Sequence, residues 1–222
     1  MYHFSYFKET DPAVMRAFMD QHPFAFLTGS FRSGQQVATQ IPILIEERDG
    51  DLILQGHFMR NTDHHKVFIE NPKALAVFTG PDTYVSASWY SNPQIGSTWN
   101  YMSVHVHGEL VFMTDEALVE FMKRLTLRFE QGHVGSPTVY DNLPEAFLSK
   151  MMPAIVGFEI RAERIENVFK LSQNRDEQSY DTIIAKLQGL GGDSALIAEE
   201  MMRRRDALFP PGQVWDGSRF DS

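Results

Sequence analysis

FAFLTGSFRSGQQVATQIPILIEERDGDLILQGH, residues 24–57, decides the fold. Three runs in it, FAFLTGSF, QQVATQIPILIEE and DLILQGH, are rich in aromatic and β-branched residues and read as strands. The breaks between them, RSGQ and RDGD, are turn chemistry. Asp49-Gly50 is a hairpin signal, because a tight hairpin turn needs positive φ at its centre. Pro42 removes a ladder donor from the second run, which marks an edge or a local break in pairing. Upstream, TDPAVMRAFMDQHP predicts a helix, with Thr10 or Asp11 as cap, Pro12 in its first turn and Pro23 just past its end. Val14, Met15 and Phe18 form its apolar stripe.

Downstream, NTDHHKVFIENP predicts a short helix, capped by Asn61, Thr62 or Asp63 and ended at Asn71-Pro72. ALAVFTG and TYVSASWY read as two strands around a Gly80-Pro81 turn, and TWNYMSVHVHGELVFM as a long strand bent at Gly108. TDEALVEFMKRLTLRFE is the clearest helix, with Thr114 as its cap and acidic residues where the helix dipole favours them. Leu118, Phe121, Met122, Leu125 and Phe129 share one face of it. A short helix follows Leu143. AIVGFEIRAERIENVFKLS is a last long strand, and DTIIAKLQGLGG and SALIAEEMMRRRDALF are two final helices. The tail, PPGQVWDGSRFDS, reads as a docking or flexible extension. This order predicts a mostly β protein with peripheral helices (α+β), an antiparallel barrel and not a doubly wound sheet. No GxGxxG or GxxxxGKS/T stretch is present.

The 222 residues are 43% hydrophobic and 12% aromatic, enough to build a core. The net charge of −9 sets a field that repels nucleic acid, so direct DNA binding is doubtful without a local basic patch. With no cysteine, disulfides, thiolate metal sites and cysteine nucleophiles are excluded. No signal pattern opens the chain and no run approaches the ~18 apolar residues of a membrane span. The expectation is a cytoplasmic protein with no membrane association.

The candidate chemistry concentrates in GHFMRNTDHHK, residues 56–66. Its basic residues and histidines suit a metal, a phosphate or a solvated loop. A metal would draw on His57, His64, His105 and His107, but adjacent helical histidines diverge by ~100° and no HExxH spacing is present. A phosphate would find a helix start near Asp63, with Arg60 and Lys66 close by. In ATQIP, residues 38–42, Thr39 and Gln40 interrupt an apolar strand, which suits either a half-exposed strand or a backbone for a planar ligand. Trp89, Tyr90, Trp99 and Tyr101, interleaved with Ser86, Ser88, Asn100 and Ser103, suit a flat ligand, a barrel core or an interface. KLSQNRD, residues 170–176, is a late basic cluster, with Lys170 and Arg175 as anion ligands or helix caps. MMRRRD, residues 201–206, follows two glutamates and reads as a salt-bridged helix face.

Taken together, YFKETDPAVMRAFMDQHPFAFLTG, VATQIPILIEE, LQGHFMRNTDHHK, YVSASWYSNP, TWNYMSVHVHGEL and VGFEIRAERIENVFKLSQNRD resemble the PaiB family, described as FMN-binding negative transcriptional regulators. The resemblance extends to about residue 209. It implies an FMN-binding split β-barrel, similar to the pyridoxamine phosphate oxidase-like superfamily, assembled as a homodimer with flavin sites at the subunit interface. It places Lys66 at the flavin phosphate, with Thr39, Arg60 and Asn61 completing that end, and lays Thr39, Gln40 and Ile41 along the isoalloxazine ring. Asn100, Tyr101 and Ser103 would approach from a facing strand, and Gln173 and Arg175 would form the late polar cluster. His57 joins this cofactor set. The implied organisation is a split-barrel domain over residues 1–175 with inserted helices, a helical extension over 176–209 packed on it, and a tail over 210–222. Three functions follow: an FMN-binding regulator acting through flavin state or a direct or indirect regulatory partner, an FMN-dependent oxidoreductase of the NAD(P)H:flavin reductase kind, and a haem-binding barrel with His57, His105 or His107 as axial ligand.

Overall fold

Pro42 sets the topology. In the computed structural model, which describes residues 4–92, 94–212 and 215–220, the run QQVATQIPILIEE is two strands and not one. β1 (Phe24–Ser30) pairs antiparallel with β2 (Gln36–Pro42), Leu27 opposite Thr39 and Ala25 opposite Ile41. The ladder stops at the proline. Ile43 turns away and gives its N–H to the carbonyl of Pro23 at 2.8 Å. β3 (Leu44–Arg48) then pairs with β4 (Asp51–Met59) through the predicted hairpin, with Asp49 at φ 55° and Gly50 at φ 85°.

Among the described residues the remaining strands are β5 (Lys73–Val85), β6 (Thr98–Phe112) and β7 (Ile155–Lys170), and the sheet order is β2-β1-β5-β6-β7-β4-β3. β2 and β3 occupy opposite edges yet are joined by a single residue. One residue spans only ~3.5 Å, so the sheet must curl until its edges meet, and β2 does lie against β4. Curling in this way packs one edge of the sheet against a strand near the other.

β5 corrects one expectation. Gly80-Pro81 is not a turn between two strands; the strand runs through it. Burial alternates on even residues as far as Phe78, skips across Thr79 and Gly80, and resumes on the odd residues Pro81, Thr83 and Val85. That one-residue slip is the burial signature of a bulge.

The helices are α1 (Pro12–Gln21), α2 (Asp63–Glu70), α3 (Asp115–Phe129), α4 (Glu145–Met151), α5 (Glu177–Leu190) and α6 (Gly192–Leu208). Asp11 receives the N–H of Ala13, Thr62 that of His65, Thr114 that of Ala117 and Asp176 that of Ser179, so each of these helices starts on a side-chain cap. The chain forms two compact units: Met19–Phe78 with His105–Glu166, and Met1–Phe18 with Thr79–Val104 and Asn167–Ser222. In the first, Leu118, Phe121, Met122 and Leu125 of α3 pack with Leu44, Tyr140 and Ile155. Burying each such side chain contributes ~1.5–3 kcal/mol. Phe129, predicted on the same face, ends the helix half-exposed at 50%. Gly157 lets α3 approach β7, since a Cβ there would stand 2.9 Å from Leu118 Cδ1. In the second unit, α5 and α6 form a hairpin around Ile183, Leu187, Ile197 and Met201, joined by Gly191 and Gly192 at φ 72° and 55°. Phe220 of the tail meets Tyr6 edge-on at 5.0 Å, while residues 213, 214, 221 and 222 lie outside the described ones.

Candidate functional site

The stretch from His57 to Lys66 lies wholly within the first unit, and its two faces differ. Side chains alternate along β4. Phe58 stacks on Phe158 at 5.3 Å, and the rings of His64 and His65 lie 6.5 and 6.4 Å from it. His57 points the other way, toward α3, with its ring 5.9 Å from Phe121. The structure therefore does not bring His57 together with His64, and among the described residues no group of three or more His, Asp or Glu is arranged to hold a metal. Nδ1 of His57 is buried with no hydrogen-bond partner, and burial lowers its pKa from the usual 6.5. A base held neutral by the fold stabilises above its unfolded pKa and loses that contribution as pH falls through the folded one. His57→Leu is thus expected to lose less Tm than the native protein between about pH 7 and about pH 5. Equal losses in thermal melts would refute the assignment.

Beyond Met59 the chain makes a compact turn. The N–H of Arg60 is held by the carbonyl of Ala154 at 2.8 Å, and the hydroxyl of Thr62 donates back to the carbonyl of Met59 at 2.8 Å. Asn61 sits at φ 63°, a region that asparagine tolerates better than most residues. Its N–H donates to Nδ1 of His65 at 3.1 Å. The guanidinium of Arg60 lies 3.6 Å from the highly exposed Asp115. Lys66, one turn into α2, is exposed and makes no salt bridge among the described residues. Two cations and a helix start thus share one short turn, a donor set that suits a phosphate dianion. The orphaned Nε2 of His64 adds a buried polar atom on the same helix.

β2 lies against α2 and β4, so ATQIP is a neighbour of this turn within the same unit. Its side chains divide between two faces. Thr39 is half-buried and Ile41 buried on one; Gln40 is exposed on the other, opposite Phe26 of β1.

The remaining predicted residues belong to the second unit. Asn100 is fully buried, its Oδ1 accepting from the Ser172 hydroxyl at 3.0 Å and its Nδ2 meeting Met201 Sδ at 3.6 Å. Gln173 is buried too, accepting from the N–H of Leu171 and donating to the carbonyl of Phe169. Both amides are engaged by the protein itself. Arg175 lies 4.6 Å over the ring of Tyr90. Lys170 donates to the carbonyl of Trp99 at 2.7 Å and to the Thr98 hydroxyl, and burial, then the charge of Arg175, lowers its pKa. Tyr101 is half-buried; Ser103 is buried with its hydroxyl unpartnered. The structure therefore gathers Asn100 with Ser172 in one buried polar cluster. The part His65 plays in this turn carries no signal in the sequence, because histidine is not a usual capping-box partner.

A curled seven-stranded sheet in this order is the fold of a split β-barrel. The chain belongs to the family described as "Putative FMN-binding domain", whose model matches residues 1–164. Among curated proteins it is 31% identical over 202 residues to "Protease synthase and sporulation protein PAI 2" of Bacillus subtilis, covering 91% of this chain and 96% of that one. Among solved structures, the FAD and heme binding protein from Mycobacterium smegmatis superposes with a TM-score of 0.55 at 21% identity, covering 73% of this chain and 72% of that one. The flavocytochrome Anf3 from Azotobacter vinelandii gives 0.55 at 19% identity, covering 76% and 72%. At these identities the two structures speak for the fold, and they agree with the split barrel expected from the sequence.

Proposed function

We propose that the protein is a regulatory flavoprotein that binds FMN by its phosphate at the Arg60–Lys66 turn and acts through a protein partner and not by gripping DNA. The observation that carries this is where the chain leaves positive charge free. In the basic run of α6, Arg203 pairs with Glu200 at 2.8 Å, Arg204 with Glu9 at 2.7 Å, and Arg205 with Asp181 at 2.6 Å and Glu177 at 2.7 Å. Those guanidiniums are engaged, and the overall charge of −9 repels phosphate backbones. Lys66 makes no such pair among the described residues, and Arg60 has only a long contact to an exposed carboxylate. The name of the Bacillus subtilis relative, which links that protein to protease synthesis and sporulation, supports a regulatory role.

In this reading Arg60, Asn61 and Lys66 hold the phosphate. The β2 segment Thr39–Ile41, beside α2, supports the flavin ring. Bound FMN would supply hydride or single-electron chemistry. A homodimer is part of the reading, and Phe24 and Phe26, 58% and 39% exposed on β1, offer apolar surface for it. Among the described residues no helix is long and apolar enough to cross a membrane. Haem is the weaker alternative for the named histidines: His107 Nε2 is held by Glu166 at 3.0 Å, and Nδ1 of His57 is buried.

The test is a titration of the purified protein with FMN, followed by flavin fluorescence, beside riboflavin and haem. Saturable micromolar or tighter FMN binding, weaker for riboflavin, is expected. A Soret band with no flavin binding would replace this reading with the haem one. A nanomolar gel shift on a defined operator at physiological salt would overturn the partner-mediated role.

A further inference from the structure

The turn that presents Arg60 and Lys66 is closed by a histidine in an unusual role. α2 has Thr62 as its cap and His65 at its third position. The backbone N–H of His65 points to the Thr62 hydroxyl at 3.4 Å, while its Nδ1 reaches back to the N–H of Asn61 at 3.1 Å. This is a capping box in which histidine replaces the usual glutamate or glutamine and reaches one residue further back. The substitution has a chemical reason. Glutamate would accept the same hydrogen bond but set a fixed negative charge beside an anion site. Neutral imidazole accepts it with no charge.

We propose that His65 is the positioning residue of the cofactor turn: as a neutral imidazole it latches Asn61 in the left-handed conformation that joins β4 to α2, and protonation releases the latch. An imidazolium has no lone pair left on Nδ1, so it cannot accept the Asn61 N–H. The surroundings favour the neutral form. Phe58 of β4 and Phe112 of β6 present their rings 6.4 and 5.4 Å away. The charged and titratable groups around it are Arg60, itself paired to Asp115 at the start of α3, and Asp63, His64 and Lys66 on its own helix. Burial, then the positive charge of Arg60, lowers the pKa of His65 from 6.5. The sign follows: the latch is complete above about pH 6.5 and opens as pH falls through the lowered value. Its consequence for ligand affinity rests on the FMN reading; the latch itself does not.

Two measurements separate them. In the apo protein, the amide of Asn61 is followed by NMR shift and hydrogen exchange from about pH 7.5 to about pH 5. The variants are His65→Asn, which puts a non-titrating oxygen where Nδ1 stands, and His65→Leu, which removes the acceptor. The native amide is expected to lose protection on acidification. The Asn variant should stay flat and the Leu variant unprotected throughout. A native amide that does not respond to pH overturns the latch, whatever the Leu variant does. The second measurement is FMN affinity over the same range. The phosphate's own second ionisation near pH 6 weakens binding to every variant, so the quantity of interest is the difference. The native protein should lose about three- to tenfold more affinity than His65→Asn, the worth of one hydrogen bond in the turn. Identical profiles overturn the link between latch and site. Loss of Asn61 protection with no FMN binding by any variant supports the latch and overturns the cofactor assignment alone.

Discussion

Replacing both cations of the turn, Arg60→Ala with Lys66→Ala, should weaken FMN at least 100-fold and leave riboflavin almost untouched. Each charge-assisted hydrogen bond to a phosphate contributes ~1.5–3 kcal/mol. Two of them come to ~3–6 kcal/mol, and ~1.4 kcal/mol is tenfold in affinity, so the loss is about 10²–10⁴. The double substitution is chosen because neither cation is buried, and the turn keeps its backbone hydrogen bonds through Ala154 and the Thr62 cap. Riboflavin has the same ring without the phosphate and is the internal control. Added salt should shrink the gap between the two ligands in the native protein, because exposed cations are screened. An equal loss for both ligands would mean a disturbed ring site, and no loss would move the phosphate elsewhere.

Gly108→Ala should cost the fold more than any other single methyl group we consider. A Cβ at this position would lie 2.1 Å from the carbonyl oxygen of Arg161 and 2.8 Å from Cγ2 of Ile160. Flexible side chains can swing aside; the backbone of β7, an interior strand held between β6 and β4, cannot. Overpacking of a yielding core costs ~1–3 kcal/mol, and an obstacle made of backbone belongs at or beyond the top of that range. At ~2–4 °C per kcal/mol for a chain of this size, the expected fall in Tm is about 6–12 °C, or loss of soluble protein. A melting curve within about 2 °C of the native one would show that β6 and β7 separate far more easily than this packing allows.

The local chemistry was legible because it depends on neighbours in sequence. The Thr114 cap, the Thr62 cap and the Asp49-Gly50 turn stand where side-chain oxygens and positive-φ residues placed them. What was illegible depends on partners far along the chain. ILIEE continues the pattern of VATQ, and nothing local says that Pro42 sends the two halves to opposite edges of a sheet. Phe129 fits the helical stripe, but the partners α3 packs against do not reach its last residue. The candidate site divides along the same line. Clustering of Arg60, Asn61 and Lys66 follows from their spacing. The facing of His57 toward Phe121 and the engagement of Asn100 with Ser172 are set by tertiary packing, whereas Gln173 bonds to its near neighbours Leu171 and Phe169 in a local pairing that no sequence pattern announces.

β5 carries a lesson about how this chain can change over time. Its inward residues are even up to Phe78 and odd from Pro81 onward. The strand is therefore written in two reading frames, with Thr79-Gly80 as the spacer between them. Substitutions can accumulate on either side of that spacer independently. Deleting one spacer residue would only remove the extra residue and leave unbroken alternation, whereas deleting both would put Pro81, Thr83 and Val85 in water and bring Asp82 and Tyr84 inward. Relatives that have drifted far apart should vary in side chains here and differ in the length of this spacer by one residue at most, never by two.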